Sequence, residues 1–281
     1  MTDILAVTTF NKEGLDLYAQ KFLDTWAQNT DDNMKLLVYA EDCDPINPAP
    51  SKILILNQRE ALPKLMKFKK KWGKVPKANG ECPFPHKRPR DYDKKFKWDA
   101  MRFANKVYAV FDACERNTGK GWVVWIDADM VVHSHWNYEQ YASLFPSDVW
   151  LTYVGRGKGS QTWPECGFYG IDCKSAKARQ FVANLEYQYE NAEDGIFKLD
   201  EWHDSYVFGS CLEKFMRMYP DVLDYSAGMY SVAVKTGGGG HPLINGVLGT
   251  WLDHLKGDRK QTGKSNKRDL MVKRGEKYWK F

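Results

Sequence analysis

Trp122-Val123-Val124-Trp125-Ile126-Asp127-Ala128-Asp129-Met130-Val131-Val132 decides the reading of this chain. Its first five residues are β-branched or aromatic, the composition of a strand covered on both faces. The strand runs directly into two carboxylates separated by one residue. Both side chains can then reach the same side of a tight turn. Two like charges held together away from water are costly unless a cation neutralises them. A hard divalent cation with oxygen ligands does so, and can bridge onto diphosphate oxygens. D-x-D alone is common as a solvated turn or helix cap. Its position after a hydrophobic strand with two tryptophans gives it weight here.

Strand-like and helix-like segments alternate before this point. Ile4 to Phe10 is an apolar run, and Leu15 to Trp26 carries Leu15, Tyr18, Ala19, Phe22, Leu23 and Trp26 at helical spacing. Leu36 to Ala40 and Ile53 to Leu56 read as strands. Trp98 to Cys114 reads as a helix, with Met101, Ala104, Val107, Tyr108 and Phe111 on one face. Beyond the motif, Val149 to Val154 and Gly167 to Ile171 read as strands, and Ser175 to Glu190 and Ser205 to Met218 as helices. This alternation predicts an α/β fold with a mainly parallel, Rossmann-like sheet flanked by helices. Ligands in such sheets bind beyond the carboxyl ends of the strands, where Asp127 lies.

The 281 residues fit one elaborated domain, since single α/β domains commonly reach roughly 250 residues. Hydrophobic residues are 43% and aromatic residues 14%, enough for a sizeable core and too many for a disordered chain. No apolar run is long enough to span a bilayer, and Asp3 interrupts the amino terminus where a signal peptide would be apolar. A cytoplasmic location is expected. The 6 cysteines show no C-x-x-C pair, which suits reduced structural thiols.

Net charge is +5, unevenly distributed. Lys64, Lys67, Lys69, Lys70, Lys71, Lys74 and Lys77 form a run with no acid among them. Lys87, Arg88, Arg90, Lys94, Lys95 and Lys97 form a second cluster, and a third runs from Lys256 to Lys280. Clustered positive charge suits a polyanionic partner, with nucleic acid first among candidates, or a solvated surface beside a diphosphate site. Residues 57–97 are also punctuated by Pro63, Pro76, Pro83, Pro85 and Pro89. They read as a basic insertion or mobile loop with a short helix around Lys64 to Trp72. Residues 261–281 read as a basic tail. Gly237 to Gly240 reads as a flexible turn.

Near the carboxyl end, His254-Leu255-Lys256-Gly257-Asp258-Arg259-Lys260 offers what the aspartates lack. A histidine can complete a metal site begun by two carboxylates. Gly257 permits close backbone approach to a phosphate, and Lys256, Arg259 and Lys260 supply positive charge. With Phe96-Lys97-Trp98-Asp99-Ala100 and Asp127-Ala128-Asp129, this segment resembles the glycogenin-like, or family 8, branch of GT-A glycosyltransferases. His254-x-x-Gly257-x-x-Lys260 matches that family's H-x-x-G-x-x-K-P-W, except that Gln261 and Thr262 replace the Pro-Trp. The resemblance implies a GT-A fold and a nucleotide-sugar donor, a UDP-sugar first. It implies Mn²⁺ or Mg²⁺ on Asp127, Asp129 and His254, and the diphosphate on Gly257 and Lys260. It further implies that Lys97 contacts the donor, and that Thr8, Thr9 and Tyr39 line the nucleoside pocket.

Leu199-Asp200-Glu201-Trp202-His203-Asp204-Ser205 supplies the sugar-side acids. If it opens a helix, Glu201 and Asp204 share a face. The family places an acid followed by glutamine beside the transferred sugar; Asp204 fits the acid and Ser205 replaces the glutamine. Trp163-Pro164-Glu165-Cys166-Gly167-Phe168 resembles the family's segment near the acceptor. Asp204 and Glu201 are the candidate catalytic residues, as base in an inverting enzyme or as nucleophile or stabiliser in a retaining one. The basic clusters, with Trp72, Tyr92, Phe96, Tyr278 and Trp279 interleaved, suit a DNA backbone plus stacking. In its compactness, its expected lack of a signal peptide and its high Trp and Lys content, the chain is similar in type, though not by motif, to phage-encoded enzymes that glycosylate hydroxymethylated DNA bases. A protein hydroxyl or a saccharide is the alternative acceptor, nucleotidyl transfer the alternative reaction, and a non-enzymatic nucleic-acid-binding protein the alternative class.

Overall fold

The computed structural model describes residues 3–87, 93–156, 163–226 and 241–281. Seven strands form one sheet: β1 (Asp3–Asn11), β2 (Lys35–Glu41), β3 (Ile53–Asn57), β4 (Gly121–Ile126), β6 (Leu151–Tyr153), β7 (Phe168–Asp172) and β8 (Val222–Asp224), in the order β3-β2-β1-β4-β7-β6-β8. β5 (Met130–Val132) and β9 (Leu252–His254) pair antiparallel in a small second sheet. The first four strands of the order are mutually parallel. β7 runs antiparallel to both β4 and β6, and β6 pairs parallel with β8. This is the mainly parallel, helix-flanked α/β sheet that the alternation predicts.

Period-two alternation divides the strand residues between two cores. Val7, Leu37, Tyr39, Val123 and Trp125 face one core, built with the helices Pro63–Trp72, Ala100–Arg116, Ala176–Glu190 and Asp204–Met218. Ile4, Ala6, Leu36, Val38, Trp122, Val124 and Ile126 face the other, built with the helix Gln20–Asn29, the small sheet and Trp279. All six residues of β4 are buried, as a central strand covered on both faces requires.

β1 has β2 on one side and β4 on the other. The chain leaves β1, builds β2 and β3 outward, then returns to the opposite side as β4. The connections after β1 and β4 therefore part company at their carboxyl ends, which opens a crevice there. Thr9, Phe10 and Asn11 enter it from β1, and Asp127 to Asp129 from β4.

The helix expected around Lys64 to Trp72 is present, and both of the basic segments pack against the rest of the chain. The stretch read as an insertion or mobile loop holds the helix Pro63–Trp72, with proline at its first turn and Leu65, Phe68 and Trp72 buried in the core. Hydrophobic spacing i, i+3, i+7 outweighs the lysines, which keep their ammonium groups outside. The carboxyl-terminal stretch is likewise packed. Ser265 donates to Asp253 through both its amide (2.8 Å) and its hydroxyl (2.6 Å), and the Tyr278 hydroxyl donates to Asp253 at 2.7 Å. The Trp279 indole donates to the Gly249 carbonyl at 2.7 Å. These bonds brace β9, the strand that carries His254. Gly237 to Gly240 lies outside the described residues. All six cysteines are free thiols. Among the described residues, no helix is long and apolar enough to cross a membrane.

Candidate metal and donor site

A cavity of about 730 Å³ opens at the carboxyl ends of β1 and β4. Thr9, Asn11, Tyr18, Lys106, Asp127, Asp129, Asp204, His254, Gly257 and Lys260 are among the residues on its walls. The turn after β4 carries both aspartates. β5 then pairs with β9 in a register that sets Met130 opposite His254. That pairing brings His254 to the aspartates from the far end of the chain. Ligand atoms of Asp127, Asp129 and His254 all lie within 4.8 Å of one another.

The four carboxylate oxygens divide by role. Asp127 Oδ1 receives the Trp125 indole at 2.7 Å and Lys106 Nζ at 3.0 Å. Asp129 Oδ2 receives Lys260 Nζ at 2.9 Å. The other two oxygens face one imidazole nitrogen: His254 Nε2 lies 3.7 Å from Asp127 Oδ2 and 3.1 Å from Asp129 Oδ1. Lysines thus take the outer oxygens and leave an inner O, O, N set. Two carboxylate oxygens and one imidazole suit a hard or borderline divalent cation such as Mn²⁺ or Mg²⁺. Burial alone would raise the Asp129 carboxyl, but the His254 and Lys260 charges outweigh it and hold it well below the usual range. Asp129 is therefore ionised, as a ligand must be.

Gly167 makes the histidine's position possible. A β-carbon there would sit 2.7 Å from His254 Cε1, so a larger residue would displace the ring. The Gly167 carbonyl also accepts the Asp127 amide at 2.9 Å. Gly257 adopts φ +58°, a left-handed turn that keeps Lys256 and Lys260 on one wall.

Lys106 is a residue of the cavity wall that the sequence reading misses. It is 8% exposed, and its ammonium bridges Asp127 Oδ1 to Asp204 Oδ2 at 2.7 Å while also donating to the Cys166 carbonyl. Burial opposes its charge, but Asp127 and Asp204 outweigh that and raise its pKa well above the ordinary value. A signal was present: Lys106 shares its stripe with buried Ala109, Val110 and Ala113 at i+3, i+4 and i+7. A lysine on an apolar helix stripe needs a buried partner.

Asp204 opens the helix Asp204–Met218, where the amide dipoles favour negative charge. Burial pushes its pKa up, but Lys106 more than reverses this and holds it low. Glu201 is placed differently. Its carboxylate takes Lys97 at 2.9 Å and His203 at 3.0 Å, and neither Glu201 nor Lys97 is on the cavity wall. Together they tie the turn before the helix Ala100–Arg116 to the turn before Asp204. Thr9 is on the wall; its hydroxyl donates to the Tyr39 carbonyl at 2.6 Å and accepts from Gln58 at 2.9 Å. Thr8 and Tyr39 are fully buried away from the wall, and the Tyr39 hydroxyl is bonded to Asp112. Glu165 does reach the wall, buried and held by Arg156 at 3.0 Å and by Lys256.

No family model matches the chain, and no curated protein does. Among solved structures it is similar to an apo structure of WbbM, a bifunctional glycosyltransferase. The two are 12% identical with a TM-score of 0.43, over 80% of this chain and 39% of that one. The chain thus spans well under half of WbbM's length.

Proposed function

We propose that this protein is a metal-dependent glycosyltransferase of the GT-A type that moves a sugar from a nucleotide-sugar, a UDP-sugar first, to an acceptor hydroxyl. The observation that carries the reading is the inner O, O, N set of Asp127, Asp129 and His254, in a cavity at the sheet's switch point with lysines on both sides. Departure of a nucleoside diphosphate develops negative charge, and a divalent cation held by this set would stabilise it where it forms. Lys260 and Lys256 add fixed positive charge on the same wall, and Gly257 leaves the backbone open to a phosphate. Asp204, ionised and oriented by Lys106, presents a carboxylate to the transferred sugar. Thr9 is the β1 residue available to the nucleoside. Hydrolysis of UDP-sugars with and without Mn²⁺ tests the reading. Turnover undiminished by excess chelator ends it.

A finer reading makes a hydroxymethylated base in DNA the acceptor. Its support is the solvent face of the helix Pro63–Trp72 and the turn beyond, where Lys67, Lys70 and Lys74 are exposed. Other lysines of that run are engaged within the chain: Lys64 pairs with Glu186 at 2.7 Å, Lys69 pairs with Glu41, and Lys71 lies 4.6 Å from the Trp72 ring. A protein or saccharide hydroxyl is the competing acceptor, and the salt dependence of DNA binding separates them.

A further inference from the structure

His254 leaves one of its nitrogens unexplained. Nε2 faces the two aspartates, so in a neutral ligand imidazole Nδ1 carries the proton. His254 is 1% exposed, and among the described residues Nδ1 has no hydrogen-bond partner. A metal-bound histidine normally donates this second N–H to an acceptor that fixes its ring. Leaving a buried donor without an acceptor is costly, so an acceptor is expected nearby.

His241 is beside it. Its ring meets the His254 ring edge-on, with centroids 4.7 Å apart and planes at 62°. It is 8% exposed, and among the described residues both of its nitrogens also lack partners. Among the described residues, two adjacent buried imidazoles thus hold three nitrogens without a hydrogen-bond partner between them. A neutral imidazole offers one bare nitrogen as acceptor. Glu165, the carboxylate whose field reaches both rings, spends its Oε2 on Arg156 and Lys256. A β-carbon on Gly167 would lie 2.7 Å from His254 Cε1 and 3.1 Å from Nδ1, so on that side the glycine offers no side-chain acceptor.

We infer that His241 is the positioning residue of the metal site: it accepts the Nδ1–H of His254 and so fixes the ring that presents Nε2 to the cation. Nothing in this role touches donor or acceptor. It rests on the metal-site reading proposed above.

The test uses the full chain and Mn²⁺ alone, with free Mn²⁺ followed by electron paramagnetic resonance. His241→Phe keeps a ring and removes the acceptor; His241→Gln loses the ring and restores an acceptor. His241→Leu accompanies them as a smaller apolar replacement in case the Phe ring does not fit, and thermal denaturation without metal reports folding for each. Loss of such an outer partner typically costs about 10- to 100-fold in metal affinity. The expected result is a fall of about that size in the Phe and Leu variants and near wild-type affinity in the Gln variant. Nitrogen modulation in pulsed spectra of bound Mn²⁺, which reports His254 ligation, persists with Gln and weakens with Phe. Phe binding Mn²⁺ as tightly as wild type, or Gln falling as far as Phe, overturns the inference while leaving the metal site standing. Wild type binding no more tightly than an Asp127→Ala/Asp129→Ala variant overturns both.

Discussion

Lys106 and Asp204 form a buried ion pair, Nζ to Oδ2 at 2.7 Å, and the same ammonium reaches Asp127 Oδ1 at 3.0 Å. One cation therefore links the turn after β4 to the first residue of the helix Asp204–Met218. Removing one member of a buried charged cluster strands the others, at a cost of about 3–5 kcal/mol. Lys106→Met is expected to lower the melting temperature accordingly and to abolish transfer. Added Mn²⁺ should recover part of the lost stability, because it returns positive charge to Asp127, but not the transfer that needs an oriented Asp204. Thermal denaturation with and without Mn²⁺, beside a transfer assay, measures both. A melting temperature equal to wild type would show that the ammonium is not part of the buried cluster.

Asp127→Ala and Asp129→Ala each remove a ligand oxygen from the inner set. Loss of UDP-sugar hydrolysis by a factor of about 10³ or more is expected, comparable to losing a principal electrostatic stabiliser. Circular dichroism should remain that of the folded protein, since the turn backbone is held by the Gly167 carbonyl and by the β5–β9 pairing. Detectable metal-stimulated turnover in both variants would remove the aspartates from the site.

Lys260 meets Asp129 at 2.9 Å and lies 4.5 Å from the Tyr18 ring centre, at the lip of the cavity. An ammonium there reaches a diphosphate more readily than an acceptor. A hydrogen bond to a charged group contributes about 1.5–3 kcal/mol, so Lys260→Ala should weaken UDP binding in the presence of Mn²⁺ by roughly 10- to 100-fold. His254→Ala should weaken it too, through the metal. Isothermal calorimetry of UDP with Mn²⁺ is the measurement. Affinities unchanged in both variants would break the assignment of the carboxyl-terminal motif to the donor.

The pH dependence of stability follows from Asp204 and Glu165. Burial raises both carboxyls, and lysine or arginine neighbours reverse this: Lys106 for Asp204, and Lys256 with Arg156 for Glu165. Both folded values lie below the unfolded values of about 4. A depressed carboxyl contributes stability that is present above the unfolded pKa and is lost as pH falls through the folded one. The melting temperature is therefore expected to hold through neutral pH and fall below about pH 4. Asp204→Asn should shallow that acid limb. An acid limb identical to wild type would show that Asp204 is not held ionised.

What the sequence made legible follows the physics of each segment. β4 was readable because a strand covered on both faces is apolar throughout, and its end marked the aspartates. His254 and Lys260 were readable through spacing. Thr8 was harder, because strand parity decides which residue at a strand end faces a cavity, and parity requires the register; Tyr39 shares the face of its partner Thr9 but is covered there, its hydroxyl bonded to Asp112. Thr9 reaches the wall, while its neighbour Thr8 faces the opposite core. Glu201 shows the same difficulty at a turn: its closeness to Asp204 in sequence does not survive the ion pair with Lys97 that turns it away. The carboxyl-terminal stretch has no apolar period to read. Its anchors are polar, to Asp253 from Ser265 and Tyr278, and such bonds leave no pattern along a chain. Lys106 and His241 belong to a third kind, polar groups buried by their surroundings, whose meaning appears only once their neighbours are known.

The acceptor is the remaining question, and the exposed lysines beside the core helix make it testable. Lys67, Lys70 and Lys74 stand on its solvent side, while Leu65, Phe68 and Trp72 secure the opposite side in the core. Neutralising those three should therefore alter surface charge without unfolding the helix. Each phosphate neutralised on duplex DNA contributes about −0.9 to the slope of log K against log salt. If DNA is the acceptor, wild-type binding falls steeply with salt, and Lys67→Ala/Lys70→Ala/Lys74→Ala flattens the slope by about 0.9 for each phosphate left unpaired. UDP-sugar hydrolysis should be nearly unchanged, because it needs only the metal and diphosphate groups. Fluorescence anisotropy with hydroxymethylated and unmodified duplexes, run beside the hydrolysis assay, reads both quantities. Lys64 and Lys69 serve as controls, since their charge already meets Glu186 and Glu41 within the chain and their removal should change the slope less. A wild-type protein with no DNA affinity at low salt would end the DNA reading and leave a protein or saccharide hydroxyl as the acceptor.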